Sequence, residues 1–356
     1  MKKIESLGKN NKEMIGDDMV ISYKADTNFI KYLVKLITYM LKKIFIRSSI
    51  GLLVATSLLF GYYFYFKYSF VEDLNYRSSV AETALGSIEY SLTGESDLVL
   101  LFIHGTPGGH DQTIEPSSYY RVLTPSRPGY IRTPLSVGKS PAEEAKAYKA
   151  LLDSLGIKEV MILGFSGGGP VAIEFAAAYP ETTLGFIALA AISHSEESWQ
   201  RDDYADEAFL NGSDFGLWFN LMLLEFLGDE AFVSYMLPNP INQQKLLKDP
   251  KQLENLKKAI WSIWPLSIRR EGIINDYLQE SNLSLHLTDI KVPTLVIHGA
   301  DDILVGISQG EAIARLVPNA TMYVVEGGGH MMMSTHSEEI KEVIENFFQK
   351  TVVTNL

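Results

Sequence analysis

Ser166 stands in the pentad Gly164-Phe165-Ser166-Gly167-Gly168. An apolar run, residues 160–165, precedes it, and a helix-like pattern, residues 171–179, follows. Strand, sharp turn and helix in that order lift a serine hydroxyl clear of the backbone, where it can meet a carbonyl carbon. Glycines two places on either side let strand and helix approach without Cβ clashes. The helix that follows points its positive end at the place where an oxyanion would form. The pentad alone also fits an ordinary glycine-rich turn between a strand and a helix, so its partners must be sought elsewhere.

Serine hydrolysis needs a base for the hydroxyl proton, an acid to orient that base, and donors for the oxyanion. Two later stretches carry such groups. Val296-Ile297 leads into His298-Gly299-Ala300-Asp301-Asp302, and Glu326-Gly327-Gly328-Gly329 leads into His330. Read singly, each has a plain alternative. Asp301 and Asp302 fit a polar turn, His330 fits a surface histidine, and Met331 to Met333 fit a core. Together they give the order Ser, Asp, His, each at the end of an apolar run.

These groups need elements to hold them. Residues 98–103 form a continuous apolar run, as in a strand buried on both faces. It leads into His104-Gly105-Thr106-Pro107-Gly108-Gly109, where His104 fits a loop-shaping role. Residues 86–92 alternate weakly and precede a turn at 93–96, which predicts a hairpin arm. Further strands are expected at 119–123, 160–165, 183–190, 292–297 and 321–325. Helices are expected at 141–155, 308–316 and 337–348; Pro141 suits the first turn of one and Gly156 its end. The alternation breaks from 193 to 287, a helical, irregular stretch with Trp199, Trp218, Trp261 and Trp264. The expected fold class is α/β: a mostly parallel, doubly wound sheet with an inserted helical cap. Ligands of such sheets gather past the C-terminal ends of the strands, where the serine, aspartate and histidine stretches all lie.

Over roughly residues 84–350 the chain resembles the α/β-hydrolase fold family, whose triad follows the same chain order. The resemblance implies Ser166 as nucleophile, His330 as general base and Asp302, rather than Asp301, as the orienting acid. It also implies an oxyanion hole made by the backbone N–H groups of Gly167 and Thr106; Pro107 has no N–H to give. The loop at 104–109, followed by Arg127-Pro128-Gly129-Tyr130, is similar to proline iminopeptidases. Those enzymes carry Gly and Trp where this chain has Thr106 and Gly167. Serine rather than aspartate at the elbow points away from the epoxide-hydrolase and dehalogenase branches. The fold also serves in catalytically silent receptors, which remains the alternative of another class.

The 356 residues suffice for one large domain with an insertion. There is no cysteine, which excludes disulfides, thiol catalysis and thiolate-bound metals. No paired-histidine helix motif points to zinc, and no cofactor or metal is expected. The net charge of −12 argues against nucleic acid as a partner. The charge is uneven: residues 1–47 hold 10 Lys and Arg against 5 Asp and Glu.

Residues 48–66 carry no charge and are long enough to span a bilayer as a helix. Their C-terminal end is rich in Tyr and Phe, as at a membrane interface. Lys31, Lys35, Lys42, Lys43 and Arg47 precede the run, so the positive-inside bias puts the N-terminus in the cytoplasm and the catalytic domain outside. The stretch 29–45 is itself basic and amphipathic, suited to an anionic membrane surface. No small-x-small cleavage site follows the apolar run. The expected organisation is therefore a cytoplasmic segment at 1–47, a transmembrane helix at 48–66 and a linker at 67–83. The hydrolase core would take 84–192 and 288–356, and the cap 193–287.

The aromatic cap suggests an apolar or amphipathic substrate pocket, with Trp218, Trp261 and Trp264 as candidate lining residues. An ester of an apolar acyl group is the expected substrate, with a short peptide-like amide as the alternative. For the amide, Glu225, Glu271 or Asp276 would hold the amine. Arg269-Arg270 with Asn275-Asp276 fit either a polar substrate group or the packing of cap helices.

Overall fold

The computed structural model describes residues 27–196 and 212–355. Residues 1–26 of the basic segment, and Trp199 in the cap, lie outside the described residues. The described chain divides into two units at Phe66/Lys67. The first carries most of a helix, α1 (Thr27–Tyr76), that is long and apolar enough to cross a membrane by length and composition.

The helix corrects one expectation. Residues 67–76 are not a linker but the last turns of α1, and the linker's remaining residues hold a strand, β1 (Ser79–Thr83). No proline interrupts α1, and its final turns have packing partners. Leu74 is fully buried, the Phe70 ring meets Trp264 edge-on at 5.0 Å, and Lys67 pairs with Asp214 at 2.5 Å. The sheet therefore begins before residue 84.

Strands β2 (Gly86–Thr93), β3 (Val99–Ile103) and β4 (Arg121–Pro125) follow, then helix α2 (Pro141–Ser154), β5 (Val160–Phe165), helix α3 (Gly169–Ala178) and β6 (Thr183–Leu189). The cap contains α4 (Asp214–Leu227), α5 (Asp229–Met236), α6 (Pro240–Leu247), α7 (Pro250–Trp261) and α8 (Arg270–Glu280). The core resumes with β7 (Thr294–Gly299), α9 (Ile307–Leu316), β8 (Ala320–Val325), the single turn α10 (Met332–Thr335) and α11 (Ser337–Asn355).

Among the described residues the strands form one sheet in the order β1-β2-β4-β3-β5-β6-β7-β8. The pairs β1–β2 and β2–β4 are antiparallel and all others parallel. The hairpin expected to turn at 93–96 is instead β1–β2, with Thr83 opposite Gly86. The β2 strand pairs with β4 rather than β3, because β3, apolar along its whole length, sits between two parallel neighbours. Strand β4 starts two residues later than expected, at Arg121, and the last helix runs on to Asn355.

Alternate residues of the central strands feed two cores. Leu101, Ile103 and Ile162 pack with α2 and α3 through Leu151, Val171 and Phe175. Leu100, Phe102 and Leu163 pack on the other face with Ile340, Ile344 and Phe348 of α11. Each such buried Leu, Ile or Phe side chain is worth about 1.5–3 kcal/mol of removed apolar surface. Helices on both faces leave only the strand ends open for a site. Helix α2 is closed at its start by a capping box: Ser140 accepts from the Glu143 N–H, and the Glu143 carboxylate accepts from the Ser140 N–H at 3.0 Å.

Candidate active site

Ser166 follows β5 directly and has φ of 52°. A non-glycine residue held there is strained, and here the strain turns the hydroxyl outward at the strand end. Its flanking glycines are required by close packing. A Cβ on Gly164 would stand 2.7 Å from the Ala172 Cβ, and one on Gly168 would stand 2.7 Å from the His104 oxygen. Strand β5, helix α3 and the loop after β3 thus converge on one serine.

The three predicted triad residues meet. His330 Nε2 lies 3.1 Å from Ser166 Oγ, and His330 Nδ1 lies 2.8 Å from Asp302 Oδ2. A carboxylate only accepts, so Nδ1 carries the proton and Nε2 is left to accept from the serine. The Phe165 ring stacks on the imidazole at 5.3 Å. Asp302 is buried while Asp301 is exposed, which decides between the two. Burial pushes the Asp302 carboxyl up, but it is outweighed. The hydrogen bond and charge of His330 and the N–H groups of Val305 and Leu304 hold it below the usual carboxylate range. His298, fully buried nearby, is kept low by burial and bonds the Val305 oxygen at 2.9 Å.

The loop after β3 crosses over the serine. A Cβ on Gly105 would stand 3.0 Å from the Ser166 Cβ, and one on Gly167 would strike the Thr106 hydroxyl. Thr106 and Gly167, the two expected oxyanion donors, are therefore neighbours. The Gly105 N–H is taken by Gln112 Oε1 at 2.7 Å. His104 shapes the loop. Its Nδ1–H donates to the Gly105 oxygen at 2.8 Å, and its Nε2 accepts from the Arg127 N–H at 3.0 Å. Burial, then the Arg127 charge, holds His104 well below its ordinary value, so it stays neutral.

The cap residues depart from expectation. Trp264 is fully buried and donates to the Asp214 oxygen at 2.8 Å; Trp218 is also buried; Trp261 donates to Glu225 at 3.2 Å. These rings pack within the cap, drawn inward by their size; Trp264 and Trp261 donate to acceptors within the insertion, and the Trp218 ring meets Phe215 at 5.7 Å. None of them lines the small pocket beside Gly167, which is bordered by Arg127, Lys139, Asn275, Gln279, Glu280 and Leu283. Asp276 is likewise no free anchor for an amine. It accepts from both Arg127 Nη atoms at 2.9 and 2.8 Å, from the Tyr130 hydroxyl at 2.5 Å, and from the Thr106 hydroxyl. Glu225 is shared by Lys257 and Trp261. Glu271 is exposed.

Sequence reasoning missed the buried cluster of Arg127, Glu144, Asp276 and Tyr130. Arg127 bonds Glu144 through Nε at 3.0 Å and Nη2 at 3.2 Å, and Tyr148 adds a hydroxyl at 2.9 Å. A signal was present in α2: Glu144 shares a helix face with Tyr148 and Leu151, a charge in an apolar stripe.

The arrangement agrees with what the chain is similar to. The sequence model of the Alpha/beta hydrolase family matches residues 100–343. The chain belongs to that family. An uncharacterized hydrolase of Bacillus subtilis, YcgS, is 27% identical over 282 residues, which cover 74% of this chain and 95% of the relative. A 2-hydroxy-6-oxononadienedioate/2-hydroxy-6-oxononatrienedioate hydrolase of Paraburkholderia phymatum is 26% identical over 297 residues, with 73% and 90% covered. Among solved structures, an alpha/beta hydrolase fold protein from Nakamurella multipartita is 26% identical, with a TM-score of 0.68. It covers 76% of this chain and 98% of its own.

Proposed function

We propose that this hydrolase is a membrane-anchored serine hydrolase that cleaves an ester of an apolar or amphipathic substrate through an acyl-enzyme. The observation that carries the reading is the continuous hydrogen-bonded chain from Ser166 through His330 to Asp302. In the first step Ser166 Oγ attacks the ester carbonyl and His330 Nε2 takes its proton. Asp302 keeps the imidazole in the accepting tautomer and stabilises the imidazolium. The N–H groups of Thr106 and Gly167 receive the oxyanion. The tetrahedral intermediate then expels the alcohol, which takes the proton back from His330. A water, activated by the same histidine, releases the acid and restores the serine.

Two observations favour an apolar acyl group. Ile303 and Leu304 follow Asp302 directly and are largely exposed, so apolar surface lies beside the triad. Helix α1 has the length and composition to hold the chain at a bilayer, with the N-terminus cytoplasmic by its charge bias and the catalytic domain outside. A second reading comes from the Paraburkholderia relative. Its name describes hydrolysis of a 2-hydroxy-6-oxo dienedioate, which the same triad could serve here. The aminopeptidase reading loses ground, since Asp276 and Glu225 are both spent on other partners.

The test is a comparison on the detergent-purified full chain with Ser166→Ala as the blank. Its substrates are a medium-chain p-nitrophenyl ester, a 2-hydroxy-6-oxo dienoate and an N-terminal proline arylamide. Ester turnover and fluorophosphonate labelling, both lost in Ser166→Ala, are expected. Faster turnover of either other substrate would overturn the ester assignment. A folded protein that neither turns over nor labels would return the chain to the ligand-binding class.

A further inference from the structure

The loop that carries Thr106 is hard to hold still. Residues 104–109 include Gly105, Gly108 and Gly109, and each glycine multiplies the backbone states open to the loop. An oxyanion donor helps only if it is already aimed when charge develops. The loop's conformation therefore depends on its anchors. From the core, His104 is fixed by the Arg127 N–H, and Gln112 bonds both the Gly105 N–H and, at 3.2 Å, the Pro107 oxygen. Further anchors come from the cap.

Two cap residues, one at each end of a two-turn span of α8, grip the loop. Arg269, just before the helix, is fully buried. It donates to the Gly108 oxygen and forms a two-pronged pair with Asp111 at 3.0 and 2.8 Å. Asp276, seven residues on, accepts from the Thr106 hydroxyl. Arg127 Nη1 reaches the same hydroxyl at 3.4 Å and bonds Asp276, so the Thr106 side chain is held as donor and acceptor at once. The helix itself is fastened to the core. The Ile131 N–H bonds the Ile268 oxygen at 2.7 Å, the Gly272 N–H bonds the Gly129 oxygen at 3.0 Å, and the Tyr130 ring fills the space beside Gly272. This part of the insertion is a brace rather than a loose lid.

We infer that α8 positions the oxyanion hole: Asp276, through the Thr106 hydroxyl, and Arg269, through Gly108, hold the loop so that the Thr106 N–H faces Ser166. The inference rests on the serine-hydrolase reading above. Asp276 and Arg269 are positioning residues in it, Asp276 acting through the Thr106 hydroxyl and Arg269 through Gly108. The insertion thus has a role in the chemical step besides any role in substrate choice.

The decisive variant is Thr106→Val in the full chain. It keeps the backbone N–H, the shape and the Asp276–Arg127 pair, and removes only the hydroxyl. A misplacement of about 1 Å costs on the order of 10²-fold. The expected result is a fall of kcat of about 10–100-fold with KM changed by less than about 2-fold, since the loss falls on the transition state. Thr106→Ser restores the hydroxyl and should return kcat to within about 3-fold. Asp276→Asn should lower kcat as Thr106→Val does, and the double variant should be no slower than the worse single, as for two ends of one interaction. Hydrogen exchange of the 104–109 amides should quicken in Thr106→Val. Wild-type kcat in Thr106→Val, faster exchange without loss of kcat, or a loss that serine does not rescue would each overturn the inference. Absence of Ser166-dependent turnover in the wild type would instead bring down the hydrolase reading, and the inference with it.

Discussion

The buried charge cluster gives the sharpest test of how this fold is held, because its members are not equivalent. Arg127 lies between two buried carboxylates and makes four hydrogen bonds to them, at 2.8–3.2 Å. Burial alone would lower the Arg127 pKa, but Asp276 and Glu144 more than offset it and hold the guanidinium charged. Arg127→Met leaves two carboxylates facing each other without a cation. Breaking a buried pair in that way costs about 3–5 kcal/mol. Glu144→Gln leaves a neutral Arg127–Asp276 pair and an amide that still accepts from Tyr148. Its cost is that of weakened hydrogen bonds, about 1–2 kcal/mol. At roughly 2 °C per kcal/mol for a unit of this size, the expected drops in Tm are about 6–10 °C and about 2–4 °C. The assay is thermal unfolding of the full chain in detergent, followed by tryptophan fluorescence.

The pH dependence of these variants has a definite sign. With Arg127 gone, the Glu144 carboxyl, already pushed up by burial, loses the charge that opposes that rise, so its folded pKa stays above its unfolded one. Such groups add stability below the unfolded value, near pH 4, and lose it as pH rises through the folded value. The Arg127→Met deficit should therefore be largest at neutral pH and shrink on acidification. In the wild type, burial already pushes Glu144 up in spite of Arg127, so the same slope is present there in weaker form. Equal destabilisation by the two variants, or a deficit for Arg127→Met unchanged from pH 7 to 4.5, would refute this account.

Asp302→Asn should leave the fold intact but lower kcat by about 10⁴-fold, because the amide favours the wrong imidazole tautomer; steady-state ester hydrolysis reads it, and a loss under 10-fold would remove Asp302 from the mechanism. Trp264→Phe should cost about 0.5–1.5 kcal/mol through the lost bond to the Asp214 oxygen. Its kcat/KM should stay within about 2-fold, and a large rise in KM would return the ring to the substrate pocket.

The elements that carry the site were readable for simple reasons. Strands β3 and β5 are apolar along their length because both their faces are covered, and a continuous apolar run between turn residues is visible in any sequence. Ser166, Asp302 and His330 each follow such a run, so their positions at strand ends came with the strands. The antiparallel edge was less legible. Strand β1 reads Ser-Val-Ala-Glu-Thr, with one residue buried, and so resembles a linker. The end of α1 was missed for a different reason: the charge at Lys67 ends the uncharged run and reads as the end of the helix, yet it is satisfied by Asp214, 147 residues away.

The sequence by itself determined which three residues meet, Ser166, His330 and Asp302, their order and the class of fold, since these depend on local patterns: strand, turn, helix and the residue at each strand's end. Tertiary structure alone decided what the cap does. Composition suggested an aromatic pocket, whereas packing turned Trp218 and Trp264 inward and sent Arg269 and Asp276 to the loop at 104–109. A side chain's type limits what it can bond. Which partner it finds across 158 or 170 residues depends on how the whole chain closes. Buried charges such as Arg127, Glu144 and Asp276 show this most plainly, because each is tolerable in the interior only once the others have arrived.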